Sequence, residues 1–85
     1  MSEVEIGKVV DYFTHVEVAA IEITDGELNV GDTVHIIGHT TDVMLPVTSM
    51  QLEHHGIEHA TRGMVIGIRC EDRARIHDKV YRVAA

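Results

Sequence analysis

Residues 25–38 read DGELNVGDTVHIIG, and the rest of the chain is interpreted around them. The stretch predicts a strand end and a turn at Asp25-Gly26. A short bridge through Leu28 follows, then a second turn at Gly31-Asp32 and a new strand through Val34. Glycine supplies the positive φ of a tight turn, and aspartate hydrogen-bonds its own backbone there. Two such turns around one apolar anchor fold the chain back on itself, which favours a small β-fold.

Length and composition limit the class of protein. Eighty-five residues make one domain, near the small end of what folds without disulfides or metals. A single cysteine, Cys70, excludes an internal disulfide and suits a reducing compartment. The N-terminus does not resemble a signal peptide, and no apolar run approaches the roughly 20 residues that span a bilayer. We therefore expect a cytoplasmic protein that does not act at a membrane. Because the chain starts at Met1, we expect a complete small protein.

Alternation of apolar and polar residues predicts strands along the whole chain, and no segment supports a two-turn amphipathic helix. The clearest strand is residues 64–70, whose apolar face consists of Met64, Ile66, Ile68 and Cys70. In residues 15–24 the apolar positions change parity at Ala19-Ala20, which predicts a bulge or a tight corner there. A second change within residues 42–53 predicts one bent strand, or two short strands, turning near Thr48-Ser49. We expect an all-β fold of about six strands.

Five segments occur in an order that resembles a known module. They are Ile6-Gly7-Lys8-Val9, Asp25-Gly26-x-Leu28-x-x-Gly31-Asp32-x-Val34, Val47-x-Ser49-Met50-Gln51, Ala60-x-x-Gly63-x-x-x-Gly67 and Asp78-x-Val80. This order is similar to the β-barrel that forms the second domain of elongation factor Tu and related translation GTPases. The resemblance implies one translation-factor-like domain, residues 1–85, folded as a small closed six-stranded antiparallel β-barrel. Similar barrels also occur as accessory domains, for instance at the C-terminus of a collagenase-like peptidase family.

The chain departs from the translation-factor pattern in two ways. His77-Asp78 stands where that family usually has Gly-Asp, and histidine is among the less costly non-glycine residues if the turn needs a positive φ. The sequence G-x-x-x-x-G-K-[ST] is absent, so the chain has no P-loop to bind a nucleotide. Whether another chain supplies a GTPase or an enzyme is left open.

Charge is distributed unevenly. Residues 1–61 contain eleven acidic residues and one basic residue, Lys8. The other six of the seven lysines and arginines lie from residue 62 onwards. The resemblance makes RNA or a ribosome-associated protein the candidate partner, and arginine binds phosphate through its planar fork. The candidate binding residues are Arg62, Arg69, Arg73, Arg75 and Arg82. Against RNA stand the pI of about 5.3 and the lack of aromatic stacking platforms. Solvated strand surface, or a patch that pairs with an acidic protein, are the alternatives.

The residues that commonly carry catalysis form no recognisable site. His54, His55 and His59 invite a metal hypothesis, but their segment reads as a loop and a closed zinc site normally needs four ligands. Cys70 falls on the predicted inner face, where thiols are inert, and Ser49 lacks the G-x-S-x-G elbow. We therefore predict no catalytic residue, no metal and no cofactor.

The expected function is a non-enzymatic binding module that docks RNA or a ribosome-associated partner through its basic C-terminal half. The alternative is a protein-binding accessory barrel that partners an enzyme, or that self-associates through an edge strand near Pro46. A histidine metal site is the third interpretation. The salt dependence of binding separates the first two, because phosphate contacts weaken steeply as salt rises.

Overall fold

The computed structural model describes residues 2–84, which form ten β-strands and no helix. The strands are β1 (Ser2–Phe13), β2 (Val18–Ile23), β3 (Glu27–Asn29), β4 (Thr33–Ile37), β5 (Asp42–Pro46), β6 (Met50–Leu52), β7 (His55–Ile57), β8 (His59–Thr61), β9 (Val65–Arg69) and β10 (Lys79–Ala84). The all-β prediction is confirmed. The predicted number of strands was too low, because four strands have only three residues, too few for alternation to identify a strand. No helix in the described part of the chain is long and apolar enough to cross a membrane.

Eight strands form one antiparallel sheet in the order β5-β4-β10-β1-β2-β9-β6-β7, and β3 pairs with β8 in a separate ribbon. The long strand β1 pairs with β10 and with β2, and its register shifts between Glu5 and Gly7 and between Val9 and Asp11. Within residues 2–84, β5 and β7 each pair with one neighbour, so no strand ladder closes the sheet into the predicted six-stranded barrel. Pro46, which has no N–H to donate, is the last residue of the edge strand β5.

One hydrophobic core joins the large sheet to the ribbon. Leu28 on β3 pairs with Ala60 on β8, and both side chains are fully buried with Ile6, Ile21 and other aliphatic residues of the sheet. The role predicted for Leu28, an apolar anchor between two turns, is confirmed. Gly26 and Gly31 on either side of it have φ values of 67° and 100°, which explains why glycine occupies both turns.

The corner predicted in β2 is absent. Ala19, Ile21 and Ile23 are all buried, so β2 keeps one parity from end to end, and the bulge lies in its partner β1. The prediction was wrong because a change of parity implies a corner only if the apolar residues before and after it face the same side. Val16 is 59% exposed and Val18 is half-buried on the outer face.

Two other local predictions are confirmed. The second change of parity separates β5 from β6, which are linked by residues 47–49. His77 has a φ of 80°, so the turn before β10 does use histidine in the left-handed region.

Candidate functional site

An open groove of about 610 Å³ lies on the outer face of the sheet, over β2, β9 and β6. The β1–β2 turn contributes Phe13 and Val16 to one side, and the β6–β7 turn contributes Glu53 and His54 to the other. We call this feature the outer groove: the four residues just named form its sides, and outward-facing residues of β2, β9 and β6 form its floor.

Small residues form the floor of the outer groove. Ala20 on β2 pairs directly with Gly67 on β9, and Gln51 on β6 lies on the other side of Gly67. A Cβ atom on Gly67 would lie 3.1 Å from Cγ1 of Val18, so that valine limits the space on one side of the floor. The central pair of floor residues itself carries almost no side chain.

Exposed apolar side chains concentrate around this floor. Phe13 is 48% exposed, Val16 59% and Val65 48%, and all three line the outer groove. Isolated exposed hydrophobic residues are common and need no explanation, whereas a contiguous apolar surface marks a site of interaction. The clustering makes this face the candidate functional site.

Left-handed backbone occurs in both turns that flank the groove. Glu53 and His54 have φ values of 50° and 69°, and the flanking residues Leu52 and His55 pair with each other. This is a two-residue hairpin loop of type I′, which usually carries Asn-Gly. Glu17, in the β1–β2 turn, has a φ of 56°. Placing a non-glycine residue in the left-handed backbone region costs roughly 1–2 kcal/mol of conformational free energy, and such strained residues are frequent at functional sites.

The outer face around the groove carries more acids than bases. Oε1 of Glu17 lies 3.8 Å from Nη2 of Arg69, and Oε1 of Glu22 lies 3.9 Å from Nζ of Lys8. Both pairs are exposed, so they contribute little to stability. Glu53 on the groove side has no ion-pair partner within residues 2–84, and the groove lining contains no lysine or arginine. Asp11, beside the floor residue Ala20, lies in a separate depression with Arg73 and Arg75. The charge of the groove lining itself is therefore negative.

Three of the predicted arginines lie towards one end of the sheet. Arg69 ends β9 and pairs with Glu17, while Arg73 and Arg75 follow in the exposed connection to β10. Nε of Arg75 donates a hydrogen bond to Oγ1 of Thr40 at 2.9 Å. These three residues lie within one short segment of chain.

The other two predicted arginines lie apart from this group. Arg62 is in the β8–β9 turn, at the opposite end of β9 from Arg69. Arg82 is half-buried on β10 between Val4 of β1 and Val34 of β4, and its Nε is buried without a hydrogen-bond partner. The five arginines therefore do not form one patch, and a binding role for any of them stays a prediction.

Cys70 lies in the core, as predicted. Its side chain is 2% exposed, and its thiol donates a hydrogen bond to the Asp72 carbonyl at 2.9 Å. Burial raises the pKa of the Cys70 thiol, and the negative charge of Asp72 raises it further. Because the thiolate is the nucleophilic form, the thiol is held in its less reactive state.

The histidines named in the metal hypothesis are separated by the strands. His54 lies in the β6–β7 turn, His55 begins β7 and His59 begins β8. Nδ1 of His59 lies 2.6 Å from Oδ1 of Asn29, across the ribbon. In residues 2–84, no group of three or more histidine, cysteine or acidic side chains is arranged to hold a metal ion.

A polar cluster on β1, β4 and β5 was missed by the sequence analysis. Nδ1 of His35 lies 2.9 Å from Oε2 of Glu3, and its Nε2 contacts Oδ1 of Asp42. The hydrogen bond to Asp42, and then that to Glu3, raises the pKa of His35. Only the strand order reveals this cluster, because Glu3 is 32 residues away from His35.

The proteins with similar sequences are named as peptidases. The chain is 38% identical over 81 residues, 94% of its length, to a collagenase of Porphyromonas gingivalis. It is 40% identical over 80 residues, 93% of its length, to an uncharacterized protease of Methanocaldococcus jannaschii. It spans about one fifth of the length of these relatives, 20% and 19% respectively. No protein-family model matches the chain.

A solved structure has the same arrangement of strands. It is the C-terminal domain of a Geobacillus thermoleovorans protein assigned to the U32 peptidases, and it superimposes with a TM-score of 0.86. The superposition covers 94% of this chain and 92% of that domain, at 12% sequence identity. The chain has the fold of this C-terminal domain. At so low an identity, the likeness shows the fold alone.

These comparisons correct the assignment to translation factors. The relatives are named collagenase and protease, so the expected translation-factor-like barrel and RNA-binding module are wrong. The expectation of a non-enzymatic protein is wrong for the same reason, since the names point to a peptidase family. The motifs Asp25-Gly26 and Gly31-Asp32 misled because they specify turns. A turn motif reports a strand connection, which different β-folds share, and says nothing about the partner.

Proposed function

We propose that this chain has the role of the C-terminal domain of a U32-type peptidase. In that role it binds the polypeptide substrate and presents it to the catalytic region. The observation that carries the proposal is the 38% identity to a collagenase over 94% of the chain. The relatives are about five times longer than the matched region, which leaves ample chain for a catalytic region.

The outer groove supports the part of the proposal that concerns substrate. Peptidases act on extended chains, and an extended chain needs an open groove rather than an enclosed cavity. Phe13, Val16 and Val65 offer apolar contacts to such a chain, and the Ala20–Gly67 floor leaves room for it. Collagen-derived polypeptide is the substrate class suggested by the name of the relative.

Two finer statements complete the proposal. We propose that the large sheet and the β3–β8 ribbon together enclose one core as a small barrel. Backbone bonds from the residues that follow the ribbon strands to the large sheet and its connections support it: the Gly31 N–H donates to Val47 O at 2.9 Å, and the Gly63 N–H donates to Ile23 O at 2.8 Å. We also propose a cytoplasmic location, because Cys70 is kept as a buried free thiol.

A domain exchange tests the proposed function. The matched region of the Porphyromonas gingivalis collagenase is deleted, or replaced either by this chain or by an unrelated β-domain of equal size. Release of fluorescent fragments from labelled gelatin is then measured. We expect deletion to reduce the rate about tenfold or more, because the effective concentration of substrate is lost. This chain should restore the rate and the unrelated domain should not. A folded chimera no faster than the deletion would refute the proposal.

A further inference from the structure

We infer that the outer groove binds an extended polypeptide segment that places one apolar side chain on the Ala20–Gly67 floor and a lysine or arginine beside Glu53. The inference rests on the proposed function, since it names the class of polypeptide sequence that the same domain takes. It concerns the outward-facing residues of the outer groove rather than the buried residues of the core.

The shape of the groove suits one side chain of a bound strand. Its volume of about 610 Å³ falls within the range of sites that hold small ligands, roughly 300–1,000 Å³. Gly67 on the floor has no side chain, and Ala20 beside it adds only a methyl group, while Val18 bounds this point on one side. Exposed Phe13, Val16 and Val65 surround this point. An apolar side chain entering there is removed from water, which drives binding.

Gln51 gives the floor a polar group for the backbone of the bound segment. Its side chain is exposed beside Gly67, and within residues 2–84 its amide makes no hydrogen bond. A side-chain amide both donates and accepts, as a peptide unit does. Gln51 therefore matches one peptide group of an extended chain without requiring a particular residue there.

Charge complementarity selects a basic segment. Among the residues that the structure describes, the lining of the outer groove contains the carboxylate of Glu53 and no lysine or arginine. Arg69 and Lys8, at its margins, already face Glu17 and Glu22, so Glu53 remains to meet a cation from the partner. A second copy of this chain would bring the same negative excess to the interface, which opposes self-association through this face. A phosphate backbone is disfavoured for the same reason.

Binding is tested with a fluorescein-labelled peptide of sequence Gly-Ser-Lys-Phe-Lys-Ser-Gly and measured by fluorescence anisotropy. We expect saturable binding. Replacing both lysines by glutamate, or the phenylalanine by serine, should weaken it about tenfold or more. With the ¹⁵N-labelled chain, the amide shifts that the peptide causes should centre on Ala20, Gln51 and Gly67. Shifts confined to another face, or equal affinity for all three peptides, would overturn the inference.

Matched substitutions separate the groove from the general surface. Val65→Ser should weaken binding about tenfold. Val4→Ser is its control, because Val4 is a strand valine of similar exposure, 45% against 48%, outside the groove. Glu53→Lys should also weaken binding about tenfold, and Glu58→Lys, in the exposed β7–β8 connection, should not. Equal losses in a variant and its control would contradict the assignment.

The two proposals can fail separately. Peptide binding in the groove together with an inactive chimera would retain the groove and reject the peptidase role. An active chimera that keeps its full rate with Val65→Ser and Glu53→Lys would retain the peptidase role and reject the groove. Sedimentation of the chain alone tests the remaining alternative, that a second copy of the chain occupies the groove. A dimer that is abolished by Val65→Ser but not by Val4→Ser would show that it does.

Discussion

Two regions of the sheet's outer face differ in how their strand surface is covered. In the polar region, on β4 and its neighbours, both ring nitrogens of His35 have partners, Glu3 and Asp42. In the groove region, on β2 and β9, the outward residues are apolar or very small, and they leave the outer groove uncovered. The polar side chains are therefore paired within this chain, whereas the apolar side chains of the groove region remain exposed to solvent.

The largest effect on stability is expected from the hydrophobic core that lies beneath both regions. Leu28→Ala removes a fully buried side chain from the ribbon that covers the core, and we expect a loss of about 2–5 kcal/mol in the free energy of unfolding. Chemical denaturation measures it. Val30→Ala, at an exposed position two residues away, is the control and should change stability little. A small loss for Leu28→Ala would mean that the ribbon is not part of one cooperative core.

The strained turn beside the groove should yield the next largest effect, and with the opposite sign. Replacing Glu53-His54 by Asn-Gly suits the left-handed φ values of a type I′ turn, so we expect the free energy of unfolding to rise by about 1–2 kcal/mol. Peptide affinity should fall, because the carboxylate of Glu53 is lost. A stabilised protein with unchanged affinity would show that this turn serves folding alone.

The stability contributed by the polar region around His35 should depend on pH. Hydrogen bonds to Asp42 and Glu3 raise the pKa of His35 in the folded protein above its ordinary value of 6.5. The stabilisation by the imidazolium is therefore fully present below about pH 6.5 and is lost as the pH rises through the folded value. We expect the Tm difference between the wild type and His35→Gln to be larger at pH 5.5 than at pH 9.

His39→Gln is the control for that titration. His39 lies in the exposed β4–β5 turn, outside the polar cluster. Its substitution should leave the pH dependence of Tm unchanged. A Tm difference for His35→Gln that is constant across this pH range would contradict a protonated role for His35.

The smallest effect is expected at the exposed ion pairs beside the groove. Lys8→Met breaks the contact with Glu22, in which both side chains are well exposed, so the free energy of unfolding should change by less than about 1 kcal/mol. The variant also increases the negative charge of the outer face, so affinity for the basic peptide should rise slightly. A clear fall in that affinity would show that the local charge does not select the partner.

Most of the fold was accessible from the sequence. The turns around Leu28 and the inner face of β9 follow from glycine placement and from alternation, and they were predicted correctly. The closed barrel of six strands was not obtained, because three-residue strands such as β3 and β8 owe their pairing to the core rather than to their own pattern. Strand order is a long-range property that local periodicity does not report.

The groove was missed because the change of apolar parity at Ala19-Ala20 was interpreted as a bulge or a corner of the chain. Val16 and Val18 instead lie on the outer face. Their parity relative to Ile21 and Ile23 already placed them outside. An apolar residue on the polar parity of a strand is the signal that would have found the site. The partner was misjudged for a different reason, because turn motifs shared among barrels carry no information about binding.

Strand β2 shows how far one short segment can separate folding from recognition. Its inward residues belong to the core, while the alternate residue Ala20 belongs to the outer groove. A substitution at Ala20 therefore changes the surface that meets a ligand without removing a contact of the core, so the strand can alter its outward side while its packing is kept.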